Sequence, residues 1–139
     1  MKADALQSAI YSALTGNASL MAAIVAVYDH VPQAAQSEDD SAFPFVVIGR
    51  DVLSPMDTKT SNGIDAVCQV HIWTRHKGMK EAKQIHGLVY DVLHLGDLAI
   101  SGAHHIASRF IGDTFYDDPD GVTRHAVMTF GVTYDVDLA

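Results

Sequence analysis

"IDAVCQVHIWTR" (Ile64 to Arg75) runs through "HKG" into "MKEAKQIHGLVYDVLH" (Met79 to His94), and the hydrophobic period changes at the join. Before it, Ala66, Cys68, Val70 and Ile72 alternate with Gln69, His71, Trp73 and Arg75. That period of two is a strand with one apolar face. After it, Ala82, Ile85, Leu88, Val89 and Val92 recur at three- and four-residue spacing. That is one stripe of a helix, predicted over 79–95, with Glu81 in its first turn where a negative charge suits the helix dipole. Gly96 is expected to end it.

The same two periods organise the flanks. Ala5, Leu6, Ala9, Ile10, Ala13 and Leu14 predict a helix over 3–15, with Gly16 as a left-handed cap. Asn17 or Ser19 is placed to cap a short second helix. "VYDHVPQ" (27–33) begins an extended segment, because Pro32 holds Val31 out of the helical region. "FPFVVIGRDV" (43–52) reads as a strand, and "LSPMDTKTSNG" (53–63) as a long connection around Pro55 and Asn62-Gly63. A strand is predicted from about 104 to 115, then a turn at "YDDPDG" and a last strand from about 122 to 136. Its even positions, Ala126 to Val136, are apolar; Thr123, His125, Thr129, Thr133 and Asp135 are polar. The expected fold is α+β, in the order α-α-β-β-α-β-β. It has a mainly antiparallel four-stranded sheet with helices on one face, as a single domain over 1–139.

Composition removes several function classes. The chain has 139 residues, nine Lys and Arg against 17 Asp and Glu, and a formal net charge of −8. Its pI is about 5.2. That balance disfavours nucleic-acid binding, which needs a basic stripe. The longest apolar runs are too short to span a membrane, and the N-terminus lacks a signal-peptide core, so synthesis and folding in the cytoplasm are expected. Cys68 is the only cysteine, which excludes an intrachain disulfide and a cysteine zinc cage.

No constellation of catalytic or metal-binding residues stands out. The histidines show neither HExxH nor ligand spacing. "DDPDG" is too short for a calcium loop and lacks its closing Glu. There is no G-x-S-x-G elbow and no glycine-rich phosphate loop. The reading is therefore a protein that is not an enzyme and carries no cofactor. A pocket with converging polar groups and perturbed titration would point instead to a small-ligand domain.

Four stretches in order resemble one family. They are "ALQSAIYSALTGNASLMAAI", "VYDHVPQ" followed after a loop by "FPFVVIG", "VHIWTRHKGMKEAKQIHGLVYDVLH", and "DPDGVTRHAVMTFGVTY". Together they resemble the tail-completion, or tail terminator, proteins of long-tailed phages and phage-derived gene transfer agents. Thr74 stands where Ser is common, and the loop "AAQSEDDSA" is longer than usual. The resemblance implies a ring, typically of six copies, on the finished tail tube. The ring would stop tube growth and offer a surface to the neck. Implied partners are further copies of the chain, the major tail tube protein and a neck or head-completion protein, with DNA passing through the ring. The implied location is the head-proximal end of the virion tail, reached from the host cytoplasm. A neck or head-closure protein is the nearest alternative. Contact candidates are His71, Trp73, Arg75, Lys77 and Lys80 at the strand-to-helix corner, Glu38, Asp39 and Asp40 in one loop, and Asp57 and Lys59 in another. Trp73 points away from the expected helix layer, so it needs a partner, which either a neighbouring subunit or a loop of its own chain would supply.

Overall fold

A computed structural model describes residues 1–31, 40–75 and 78–136. In chain order it contains α1 (Ala3–Thr15), α2 (Ala18–Ala23), β1 (Ala26–Tyr28), β2 (Phe45–Asp57), β3 (Asn62–Thr74), α3 (Lys80–Leu93), β4 (Ala103–Asp117) and β5 (Arg124–Val136). A 3-10 turn, Asp40–Ala42, precedes β2. The sheet order is β1-β2-β3-β5-β4.

The alternation read from the sequence sets the core. Ala66, Cys68, Val70 and Ile72 of β3 lie opposite Val132, Phe130, Met128 and Ala126 of β5. All eight are buried. Leu6, Ile10 and Leu14 of α1 and Ile85, Val89 and Leu93 of α3 close over them in one cluster. Each such side chain contributes about 1.5–3 kcal/mol by leaving water.

The sheet has five strands and is mixed, where four antiparallel strands were expected. The added strand is β1, which pairs parallel with β2 through Ala26–Phe45, Val27–Val46 and Tyr28–Val47. Three residues are too few to show a period.

A second correction concerns 53–63. Ser54 to Asp57 continue β2 and pair with Asp65 to Asn62, so only residues 58–61 form the turn. Pro55 is tolerated because β1 reaches only to Val47, leaving the outer edge of β2 open beyond it, and an edge strand can spare an N–H.

Two helix ends also differ. Gly16 sits at φ −78° rather than in the left-handed region. A Cβ there would lie 2.9 Å from the Ser12 carbonyl oxygen, so the residue serves close approach. After α3 the left-handed residue is Leu95, at φ 58°, and Gly96 lets the chain pass close to the Val92 carbonyl. Buried Ser108 of β4 donates its one hydroxyl proton to the Leu93 carbonyl at 2.7 Å, an orphan acceptor at that helix end, with the Gly96 carbonyl 3.1 Å away as the alternative acceptor. Asn17 caps α2 as expected, accepting from Leu20 N–H at 2.9 Å.

Candidate functional site

The odd-numbered residues of β3 and β5 lie on the face opposite the core. Trp73 is directly across from His125, and the two rings stack at 3.7 Å with an interplanar angle of 8°. His71 Nδ1 and His125 Nε2 are 2.8 Å apart, a separation at which one ring donates and the other accepts. Tyr116 of β4 continues the row from the far side of His125, with ring centroids 5.7 Å apart. Trp73 thus finds its partner within its own chain.

Position alone adjusts the histidines. Burial lowers the pKa of His71. Burial, with the positive form of His71 beside it, lowers His125 to about 4, while Asp118 pulls weakly the other way. Their mutual hydrogen bond requires at least one neutral ring to accept, since two imidazolium ions would set N–H against N–H.

β2 carries a bulge where Gly49 and Arg50 together oppose Gln69. A Cβ on Gly49 would meet the His71 ring at 2.6 Å, so glycine is what lets the bulge lie against that ring. Beyond the bulge, Asp51 turns in beside Cys68 on the core face. Burial raises its pKa, and its Oδ1 is buried without a hydrogen-bond partner among the described residues. Burial, reinforced by Asp51, likewise pushes the Cys68 thiol up, so it is inert, as a buried strand cysteine should be.

On the open face these elements bound a groove of about 740 Å³. Phe43, Phe45, Val47 and Trp73 are its apolar part; Arg50, Arg75, Asp118 and Asp120 stand among its polar residues. Several of these groups are already engaged. Arg75 lies 4.3 Å from the Phe43 ring centroid and donates to Thr123 Oγ1 at 3.2 Å and to Asp40 at 3.3 Å. Asp120 accepts from the N–H groups of Val122 and Thr123, both at 2.8 Å, and from the Thr123 hydroxyl at 2.6 Å. Those bonds hold its carboxyl down at about 2 and make the predicted turn.

The sequence candidates therefore fall at separate places. His71, Trp73 and Arg75 meet at the groove, with Asp40 on Arg75. Asp57 and Lys59 lie at the opposite end of the β2–β3 pair. Lys80 is exposed at the start of α3. Glu38, Asp39 and Lys77 lie outside the described residues, as do Pro32 and most of the "AAQSEDDSA" loop. Sequence reasoning missed His125, Tyr116 and Arg50. The odd parity of His125 was visible; its register against Trp73 was not.

Comparison with known proteins agrees over most of the chain. One curated relative, "Tail completion protein gp17" of Bacillus phage SPP1, is 32% identical over 92 residues, 64% of this chain. The match spans 66% of that relative's length, just under two thirds. Among solved structures, a chain of the virion of a native gene transfer agent particle superposes with a TM-score of 0.85 and 26% identity, covering 96% of both chains. A second solved chain, 16% identical with a TM-score of 0.55 over 98% of this chain and 96% of its own, shares the fold. The model of the family described as Tail completion protein gp17 matches residues 8–135, and the chain belongs to that family.

Proposed function

We propose that this chain is a structural protein of the virion tail that closes the finished tail tube as a ring of about six copies. In that reading one ring face complements the tube end, and the other refuses a further tube subunit and receives the neck. No bond is made or broken; the selectivity is a difference of affinities between two surfaces. The observation that carries the proposal is the likeness over 96% of the chain to a protein of a gene transfer agent virion, joined to membership of the tail-completion family.

The groove is the observation that favours a small-ligand domain instead, since it gathers polar groups and one shifted histidine, His71. Its chemistry supports that reading poorly. Arg75 and Asp120 are held by their own chain, and His71 and His125 by each other. What remains is apolar surface, Arg50 and Asp118, whose Oδ1 accepts only the Asp120 N–H, at 3.1 Å, among the described residues, and that suits a protein surface.

The test is growth of tail tubes. Purified protein is added to preassembled tubes of its own particle, followed by tube subunits, and the ends are imaged by electron microscopy. The proposal expects ring-shaped density at one end and no extension there. Bare tubes that keep growing, with the protein bound to the neck complex, would make it a neck protein. Binding to neither would remove the assembly role.

A further inference from the structure

The β2–β3 pair runs from the groove to the far end of the sheet, where Asn62 to Ile64 still pair with Val136 to Tyr134 of β5 and only the turn at 58–61 goes beyond. That end, the arm, has a built tip. Thr58 N–H donates to the Ser61 carbonyl at 3.0 Å, and the two hydroxyls are 2.8 Å apart. Thr58 Oγ1 also accepts from the N–H groups of Thr60 and Ser61. A Cβ on Gly63 would lie 2.7 Å from the Met56 carbonyl oxygen, so the two strands are closely apposed there. This arm exposes apolar surface left open by the described residues: Val52 is 64% exposed, Met56 43% and Val67 37%. Asp57 and Lys59 have no ion pair among the described residues.

The groove offers the matching inventory at the other end of the same strands. Its accessible apolar part is Val47 and Trp73, with Phe45 buried beside them, and it has the volume for a side chain such as Met56. Arg50 is exposed and has no ion pair among the described residues, and Asp118 stands among the residues lining the groove. From Val47 to Asp57 the chain advances ten residues along β2, roughly 30 Å at about 3.3 Å each. An arm cannot reach the groove of its own chain. Two different, complementary surfaces at opposite ends of one subunit make a head-to-tail contact, which closes into a ring when the rotation allows.

We infer that the arm tip of one copy seats in the groove of a second copy, with Met56 on the Val47–Trp73 surface, Asp57 against Arg50 and Lys59 against Asp118. The choice of a second copy as occupant rests on the ring reading above and on this pairing of opposite charges.

Charge exchange tests it. Arg50→Glu and Asp57→Arg each place like charges across the contact and should weaken self-association about tenfold or more. Neither alters an ion pair of the monomer, so urea midpoints should stay near wild type. Mixing the two variants sets each altered arm against the altered groove and each native arm against the native groove, so the mixture should assemble where neither variant does alone. Sedimentation reads this out, with tube-end imaging beside it. In parallel, Met56→Cys with Val47→Cys should oxidise to a ladder of linked copies that neither single variant gives. If wild type assembles while the charge variants assemble equally well and the double-cysteine chain gives no ladder, the arm–groove contact is wrong and the ring stands. If wild type remains a monomer alone and leaves tube ends bare, both fall.

Discussion

The two faces of the central sheet are made from neighbouring residues with opposite fates. Ile72 is wholly buried under the helices, whereas Trp73, one residue on, lies on the open face against His125. Met128 and Phe130 pack into the core; His125 and Thr129 look out from the same strand. The covered face holds a continuous apolar cluster and supplies the driving force for folding. The open face holds a stacked row of rings, a groove and an arm, which contribute little to folding and present shape and charge. A chain built to be one part of an assembly needs that division, because the surface that docks must not be the surface that folds it.

The largest effect should come from the covered face. Phe130→Ala should lose about 3–5 kcal/mol, read as a lowered urea midpoint. On the open face, Trp73→Ala removes one stacked pair, about 1 kcal/mol beyond the ring's partial burial, and should lose less than Phe130→Ala while abolishing attachment to tube ends. If the two substitutions lower the midpoint equally, the division between faces is wrong.

Gly49→Ala sharpens the comparison, because it drives a methyl group into the His71 ring without touching the core. It should weaken assembly more than it lowers the urea midpoint, and it should perturb the His71 and His125 ring resonances in NMR.

Smaller effects depend on pH. His125 is neutral in the folded chain down to about pH 4, whereas the unfolded chain binds that proton near 6.5. Its contribution is complete above 6.5 and is lost as pH falls toward 4. His71, beside it, titrates in the same sense, and Asp118 opposes it weakly. His125→Gln should therefore flatten the stability profile between pH 6.5 and 4 relative to wild type. Asp51 runs the other way. Its folded pKa is raised, so its burial as an anion costs stability at neutral pH and nothing once both states are protonated. Asp51→Asn should raise the urea midpoint at pH 7, by about 1 kcal/mol, and leave it unchanged below the ordinary carboxylate range.

Elements with a long period were legible in the sequence: α1, α3, β3 and β5 stand close to where their apolar residues recur. β1 was not, because three residues carry no period and their partner lies across a 16-residue connection. The arm was not, because Pro55 and a polar run resemble a loop unless one knows that the strand lies at an edge. At the site, parity alone set His71, Trp73 and Arg75 apart from the core. The partners they meet come from other strands and required the register. Asp57 and Lys59 were singled out as loop charges, and the structure places them at the last residue of β2 and in the turn that follows it.

The most direct measurement is a paired one on Trp73→Ala: its urea midpoint, and its capping of preassembled tail tubes by electron microscopy. This account predicts a midpoint lowered less than by Phe130→Ala together with bare, extendable tube ends. A variant that still caps tubes, or one that fails to fold, would contradict the assignment of the open face to assembly.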